Sequence, residues 1–431
     1  MTHRPPDFDE PTLDPDLAII VHSHLRWDFV WQRPQQLLSR IACRNPVLFI
    51  EEPVLLDDLD APTLELSTPQ AGLYRAIPKL PRTGHERYDD AVAAIRELVI
   101  DLLHEAPLAG RFDRAMQWFY TPMPAPEMLC AFNEEAVIYD CMDELSQFRF
   151  APSDIARRER LLLSRADVVF TGGFRLYESK SRYHDNVHFF GCGVDAAHFA
   201  AARHDETVLP CDVAALPRPV MGYFGVIDER LDYELLRILA AARPEWTLLM
   251  IGPMVKVNPQ ELPQAPNIHW LGQRSYGELP SYVKAFDVCL MPFALNEATE
   301  FINPTKTLEY MAAGRPIVST PVADVVRNFA PIVRVAATPE DFVAEVTDAV
   351  ERPDPARIEA GVERAAAASW EAIVQQMRAL IAEALGTRLE ESAMDRVLDD
   401  VLPRGARART TVSGSARATS SLSPRRAPDA V

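Results

Sequence analysis

Short apolar runs alternate with amphipathic helical stretches twice along this chain, and between the two series the rhythm stops. The first series places strands near 17–22, 47–51, 115–120, 136–140, 167–171 and 187–190, with helices at 34–42, 89–104, 152–164 and 173–183. The second places strands near 220–225, 247–252, 268–271, 288–292, 316–319 and 332–335, with helices at 231–242, 276–285, 304–313, 322–328 and 339–351. Continuous apolar strands connected through helices predict parallel sheets covered on both faces. The expected class is α/β, with two doubly wound, Rossmann-like domains. A disordered lead-in is expected over 1–15, the first domain over 16–200, a linker over 201–217, the second domain over 218–365, a last helix over 366–387 and a disordered tail over 388–431. Ligands of such sheets sit beyond the carboxyl ends of the strands, so chemistry belongs in a cleft between the domains.

Composition removes several function classes. There are 62 Asp and Glu against 44 Lys and Arg, a formal charge of −18, the wrong sign for a general nucleic-acid binder. Six scattered cysteines without a CxxC pair predict a reducing compartment and no structural zinc. The acidic, Pro-rich start (MTHRPPDFDEPTLDPD) does not read as a secretion signal, and no apolar run approaches the ~20 residues of a spanning helix. A cytoplasmic protein is expected. The tail from 403 carries six arginines against one acid, which leaves peripheral contact with the inner face of the cell membrane open.

The candidate chemistry lies at predicted strand ends. The most informative segment is 301–320 (FINPTKTLEYMAAGRPIVST), read as a helix with Asn303 as N-cap, Pro304 at its first position and Gly314 as left-handed stop. Free amides at its start favour an anion, and Lys306 adds a full charge. Glu309 lies roughly 8 Å along the axis, a spacing that suits the ribose of a nucleotide whose diphosphate rests on the helix start. A plain surface Lys–Glu pair has the same spacing. In GYFGVIDERLD (222–232), Gly225 lets backbone approach a phosphate and Arg230 offers a fork of donors, unless it pairs with Asp228 or Glu229. In MPFALNEATE (291–300), Glu297 and Glu300 offer groups for sugar hydroxyls or a cation, or belong to a solvated loop.

The first domain contributes two more segments. The loop HSHLRWDFVWQRPQQ (22–36) gathers His24, Trp27, Trp31 and Arg33. Trp faces stack on sugar rings and Arg pairs with phosphate or carboxylate, which points to an acceptor-side role for Trp27 and Arg33. Core anchoring of the tryptophans is the alternative. The segment YDCMDELSQF (139–148) brings Asp140, Asp143 and Glu144 past a strand end. A carboxylate there serves as general base for a hydroxyl, or caps the next helix.

Together with ADVVFTGGFRLYESK (166–180), these motifs resemble bacterial glycosyltransferases of the GT-B fold, in the branch of cell-surface polysaccharide enzymes similar to teichuronic acid glycosyltransferases. The likeness runs over roughly 16–385. It implies transfer of a sugar from a nucleotide donor, UDP-linked, to a hydroxyl of a glycan or lipid-linked acceptor, with no metal or other cofactor. It implies a donor-binding second domain, an acceptor-binding first domain and a final helix crossing back to the first. It assigns Glu309 to the donor ribose, Lys306 and the amides near Pro304 and Thr305 to the diphosphate, and Gly225 to a facing glycine loop. Many retaining relatives carry a further acid eight residues before the ribose acid; here Phe301 stands there, with Glu300 one place away. That departure leaves room for an inverting mechanism with Asp143, or His24, as base. A sugar-nucleotide epimerase of the same fold and a non-catalytic nucleotide-sugar-binding scaffold are the competing expectations.

Overall fold

The computed structural model describes residues 13–401 apart from 86, 149 and 298. Among them, nine strands form the first sheet: β1 (Ala18–His22), β2 (Val47–Ile50), β3 (Val54–Leu56), β4 (Thr63–Gln70), β5 (Leu73–Pro81), β6 (Ala115–Phe119), β7 (Val137–Cys141), β8 (Val168–Thr171) and β9 (Val187–Phe189). Their order is β3-β5-β2-β1-β6-β7-β8-β9, all parallel, with β4 antiparallel to β5. The second sheet holds β10 (Val220–Phe224), β11 (Thr247–Ile251), β12 (Ile268–Gly272), β13 (Val288–Met291), β14 (Ile317–Ser319) and β15 (Arg334–Val335). Its order is β12-β11-β10-β13-β14-β15, all parallel. In each sheet the first strand lies centrally and the order reverses beside it, at β1/β6 and at β10/β13. Loops diverge at these switch points and leave a crevice.

The central strands are buried from end to end, as AIIVH, VMGYF and TLLMI show. Helices cover both faces, so these segments read as continuous apolar runs instead of alternating ones. Successive side chains of β1 feed opposite cores: Ala18 and Ile20 one, Ile19 and Val21 the other. The last helix, Trp370–Val401, returns to the first domain. Its stripe of Trp370, Val374, Met377 and Ile381 is buried in the core on the Ile19 face, and Glu371 pairs with Arg40 at 2.6 Å.

Some elements differ from the sequence expectation. Leu13 is buried in the first domain and Asn45 donates to the Asp14 carbonyl at 2.8 Å, so ordered chain begins ahead of residue 16. Residues 1–12 of the expected lead-in, and 402–431 of the expected tail, lie outside the described residues. The region 54–81, for which the sequence pattern predicts no element, holds β3–β5, with β5 inserted beside β2. Pro78, Pro81, Arg75 and Lys79 hide β5 from a search for apolar runs, although every second residue of most of it is buried. The Ala-rich stretch Pro355–Ala366 is a helix, capped by Asp354 accepting from the Arg357 amide at 3.1 Å. No helix of the described residues is long and apolar enough to cross a membrane.

Candidate functional site

A cavity of about 710 Å³ opens between the carboxyl ends of the two sheets, a size suited to a small ligand. Its second-domain wall is built from the turn after β10, the ends of β11 and β12, and residues 302–306 with Glu309. The helix on this wall is Lys306–Ala312, with Thr305 at the cap position, so it starts later than the sequence suggests. Asn303 is not the N-cap. Its Nδ2 donates to the Gly172 carbonyl of the first domain at 3.1 Å, and its Oδ1 is buried without a partner. In Asn-Pro-Thr, three residues each carry a helix-start signal, and the contact with Gly172 decides among them. The helix end matches expectation: Gly314 has φ +64°, its N–H donates to Met311 at 2.9 Å, and the Arg315 N–H donates to Tyr310 at 3.2 Å.

Lys306 and Glu309 stand on this wall one turn apart. Burial pushes the Lys306 ammonium down, reinforced by Arg230 and opposed by Glu309. Burial pushes the Glu309 carboxyl up, opposed by Lys306. The Lys306 Nζ lies 5.4 Å from the Tyr223 ring centroid and 5.6 Å from that of Phe293. Among the described residues, neither charged head makes a hydrogen bond or a contact ion pair. Gly225, at φ +142°, faces them: a Cβ there would meet Lys306 Cε at 2.7 Å and Nζ at 2.9 Å. Gly252, at φ +151°, backs that turn so closely that a Cβ would come 1.8 Å from the Gly225 carbonyl oxygen.

Arg230 donates to Asp228 from Nε at 3.0 Å and Nη2 at 2.7 Å, the pairing that the sequence offered as its alternative. It still lines the cavity, and its guanidinium lies 5.8 Å from the Phe148 ring of the first domain. Glu297 and Glu300 are not on the wall; Glu300 pairs with Arg175 at 3.3 Å. Phe301 packs against the first-domain core, so a domain contact occupies the place eight before Glu309. Among the described residues, no three His, Cys, Asp or Glu side chains converge as metal ligands.

Residues 218–352 match the family Glycosyl transferases group 1. That segment is a group 1 glycosyltransferase domain. It contains the whole second sheet and every second-domain residue that lines the cavity. A Bacillus subtilis protein named for teichuronic acid biosynthesis, the glycosyltransferase TuaH, is 28% identical over 255 residues, 54% of this chain. The match spans 62% of that relative's length, less than two thirds of it. Sucrose-phosphate synthase from Thermosynechococcus elongatus superposes with a TM-score of 0.62 at 16% identity, over 86% of this chain and 99% of its own. An E. coli trehalose-6-phosphate structure bound with UDP-2-fluoro glucose gives 0.60 at 13%, over 85% and 98%. At such identities the likeness is one of fold, and the fold is GT-B. The epimerase and scaffold expectations are not favoured by these matches.

Opposite the glycosyltransferase domain, the first domain presents Trp27, Trp31, Arg33, Met142 and Asp143 among its lining residues. Trp27 is 4% exposed, its ring set edge-on to Phe49 at 5.2 Å and to Trp31 at 6.0 Å, which makes it a core anchor that reaches the wall. Trp31 is the more open of the two and lies 5.9 Å from Tyr276. Arg33, expected on the acceptor side, lines the cavity with its guanidinium held in an ion pair. It donates from Nε to both Asp140 oxygens at 3.0 and 3.1 Å, and from Nη1 to the Phe190 carbonyl at 3.0 Å. That pairing also takes Asp140 out of the cleft, and Lys180 holds Glu144 at 2.6 Å.

Of the three acids, Asp143 alone lines the cavity. Burial pushes its carboxyl up to about 6, with Arg230 pulling down and Asp228 pushing further up. His24 is not on the wall: its Nδ1 is buried without a partner, and burial together with Lys256 holds the ring down to about 4. Tyr276, Gly252 and Cys192 line the cavity but belong to no sequence motif. Tyr276 stacks on His198 at 4.5 Å and accepts from Gln36 of the first domain at 3.0 Å, and the Cys192 Sγ meets the Asn303 carbonyl at 3.1 Å. Tyr276 and Gly252 follow strand ends, and that position was the available signal.

Proposed function

We propose that this protein is a glycosyltransferase moving a sugar from a UDP-linked donor to a hydroxyl of a cell-surface glycan or lipid-linked acceptor, in the cytoplasm and without a metal. One observation carries the reading: a cation and a carboxylate, Lys306 and Glu309, stand on the wall of an interdomain cavity beside two glycine turns, with no hydrogen bond or contact ion pair to their heads among the described residues. Charges partly withdrawn from water without a hydrogen bond are costly unless a ligand completes them. The group 1 match, the name of TuaH and the UDP-2-fluoro glucose bound to one structural neighbour support the donor class.

In this reading Glu309 accepts from the ribose hydroxyls. Lys306, Arg230 and the first amides at Thr305 and Lys306 take the diphosphate, where negative charge grows as the leaving group departs. Asp143 removes the proton of the acceptor hydroxyl as its oxygen bonds to the anomeric carbon. The bond from that carbon to the diphosphate oxygen breaks, its electron pair leaves with UDP, and the anomeric configuration inverts. A base with its pKa near 6 is well matched to this work. Titration calorimetry with UDP tests the donor side. Wild type binds, and Glu309→Ala binds at least about tenfold more weakly, about 1.4 kcal/mol. Equal affinities would remove Glu309 from the donor site.

A further inference from the structure

One seam between the domains runs along the cavity wall and is held by a group that the proposed chemistry does not use. The first-domain helix Phe174–Lys180 begins after Gly173, which has no side chain to cap it. Asp324, from the glycosyltransferase-domain helix Ala323–Phe329, supplies the cap from across the seam: its Oδ2 accepts from the Phe174 N–H at 2.8 Å. This carboxylate is 2% exposed. Arg327 of the same helix sits 3.2 Å from the Phe174 ring centroid, and Glu300 pairs with Arg175 one residue on. The neighbouring contacts lead into the cavity. A Cβ on Gly173 would meet the Phe301 carbonyl at 2.8 Å and Asp324 Oδ2 at 3.1 Å, while Gly172 and Asn303, themselves cavity-lining, are bonded at 3.1 Å.

We infer that Asp324 is a positioning residue: by capping the first-domain helix across the domain seam, it pins the segment Phe301–Asn303 that leads into Lys306 and so holds the donor cavity assembled. The inference rests on the donor reading above for its consequence, and on geometry alone for the latch. The bond exists only while the domains are approached as they are here. Losing it lowers the closed fraction, and the apparent Kd of a ligand that needs the closed cavity rises in inverse proportion.

Two readouts test it on the full chain: UDP affinity by calorimetry, and energy transfer between dyes on exposed Cys130 and Cys211 in a Cys43→Ser background. Asp324→Ala is expected to lengthen the dye distance and to weaken UDP binding about tenfold. Asp324→Asn retains an acceptor for the Phe174 N–H and is expected to stay within about threefold of wild type, a rescue that a purely structural role does not require. Gly173→Ala forces the same seam apart from the other side and is expected to follow Asp324→Ala, which covers the case in which Asp324→Ala fails to fold. A folded Asp324→Ala with wild-type distance and affinity overturns the proposal, as does Asp324→Asn behaving like Asp324→Ala. If wild type fails to bind UDP, the donor reading falls, while the dye distances of the variants still decide the latch.

Discussion

The two domains that meet at the cavity treat their charges differently. The first domain neutralises its charges within the fold: Arg33 by Asp140, Lys180 by Glu144 and Glu159, Glu51 by Arg26 and Arg75. The glycosyltransferase domain pairs Arg230 with Asp228 but, among the described residues, leaves Lys306 and Glu309 on its wall without such partners. Satisfied buried charges hold a scaffold in place, whereas unsatisfied ones at a cavity are poised for a ligand. Asp143 is the exception on the first wall, facing Arg230 across the cleft.

Removing the exception gives the largest expected effect. Asp143→Asn should cut sugar transfer by at least about 10³-fold, roughly 4 kcal/mol of transition-state stabilisation, while UDP affinity stays within about twofold. Transfer at the wild-type rate would place the base elsewhere and make the first wall purely structural. The second break exchanges the walls' roles. Arg33→Met leaves Asp140 buried without its partner and should cost about 3–5 kcal/mol in urea unfolding, with UDP affinity unchanged in the folded protein. Lys306→Met should do the reverse, holding stability within about 1 kcal/mol and weakening UDP binding at least about tenfold. Loss of stability in both, or of affinity in both, would dissolve the distinction.

The sequence exposed one wall better than the other for a physical reason. Lys306, Glu309 and Gly225 sit on short local motifs, a helix start and a strand-end turn, whose backbone requirements are written in adjacent residues. Helix signals overlapped at Asn303, Pro304 and Thr305, so the start was misplaced and a contact with Gly172 settled it. Arg33 could not be read locally at all. Its partner Asp140 is 107 residues away, and only the parallel sheet that brings β7 near the helix Arg33–Ile41 reveals the pair. Both domains were legible as repeated apolar strands, while β5 escaped because its alternating burial lets Arg75 and Lys79 into the strand. Tyr276 escaped because a ring after β12 carries no spacing signal, and its place at the seam depends on His198 and Gln36.

The smallest effect separates the chemistry of Asp143 from its cost to the fold. As a base it works when ionised, so transfer should fall about tenfold per pH unit below about 6, the value to which burial lifts it. The same lift has the opposite consequence for stability. A carboxyl raised in the folded state binds its proton more tightly there than in the unfolded chain, where it titrates near 4. Its contribution is therefore favourable at low pH and is lost as pH rises from about 4 to about 6. Asp143→Asn cannot ionise and escapes that loss. Urea unfolding should find it about 2–3 kcal/mol more stable than wild type at pH 7, and nearly level with wild type near pH 4. An equal difference at both pH values would mean that the carboxyl is not lifted, and the first wall would then contain no charge held ready for chemistry.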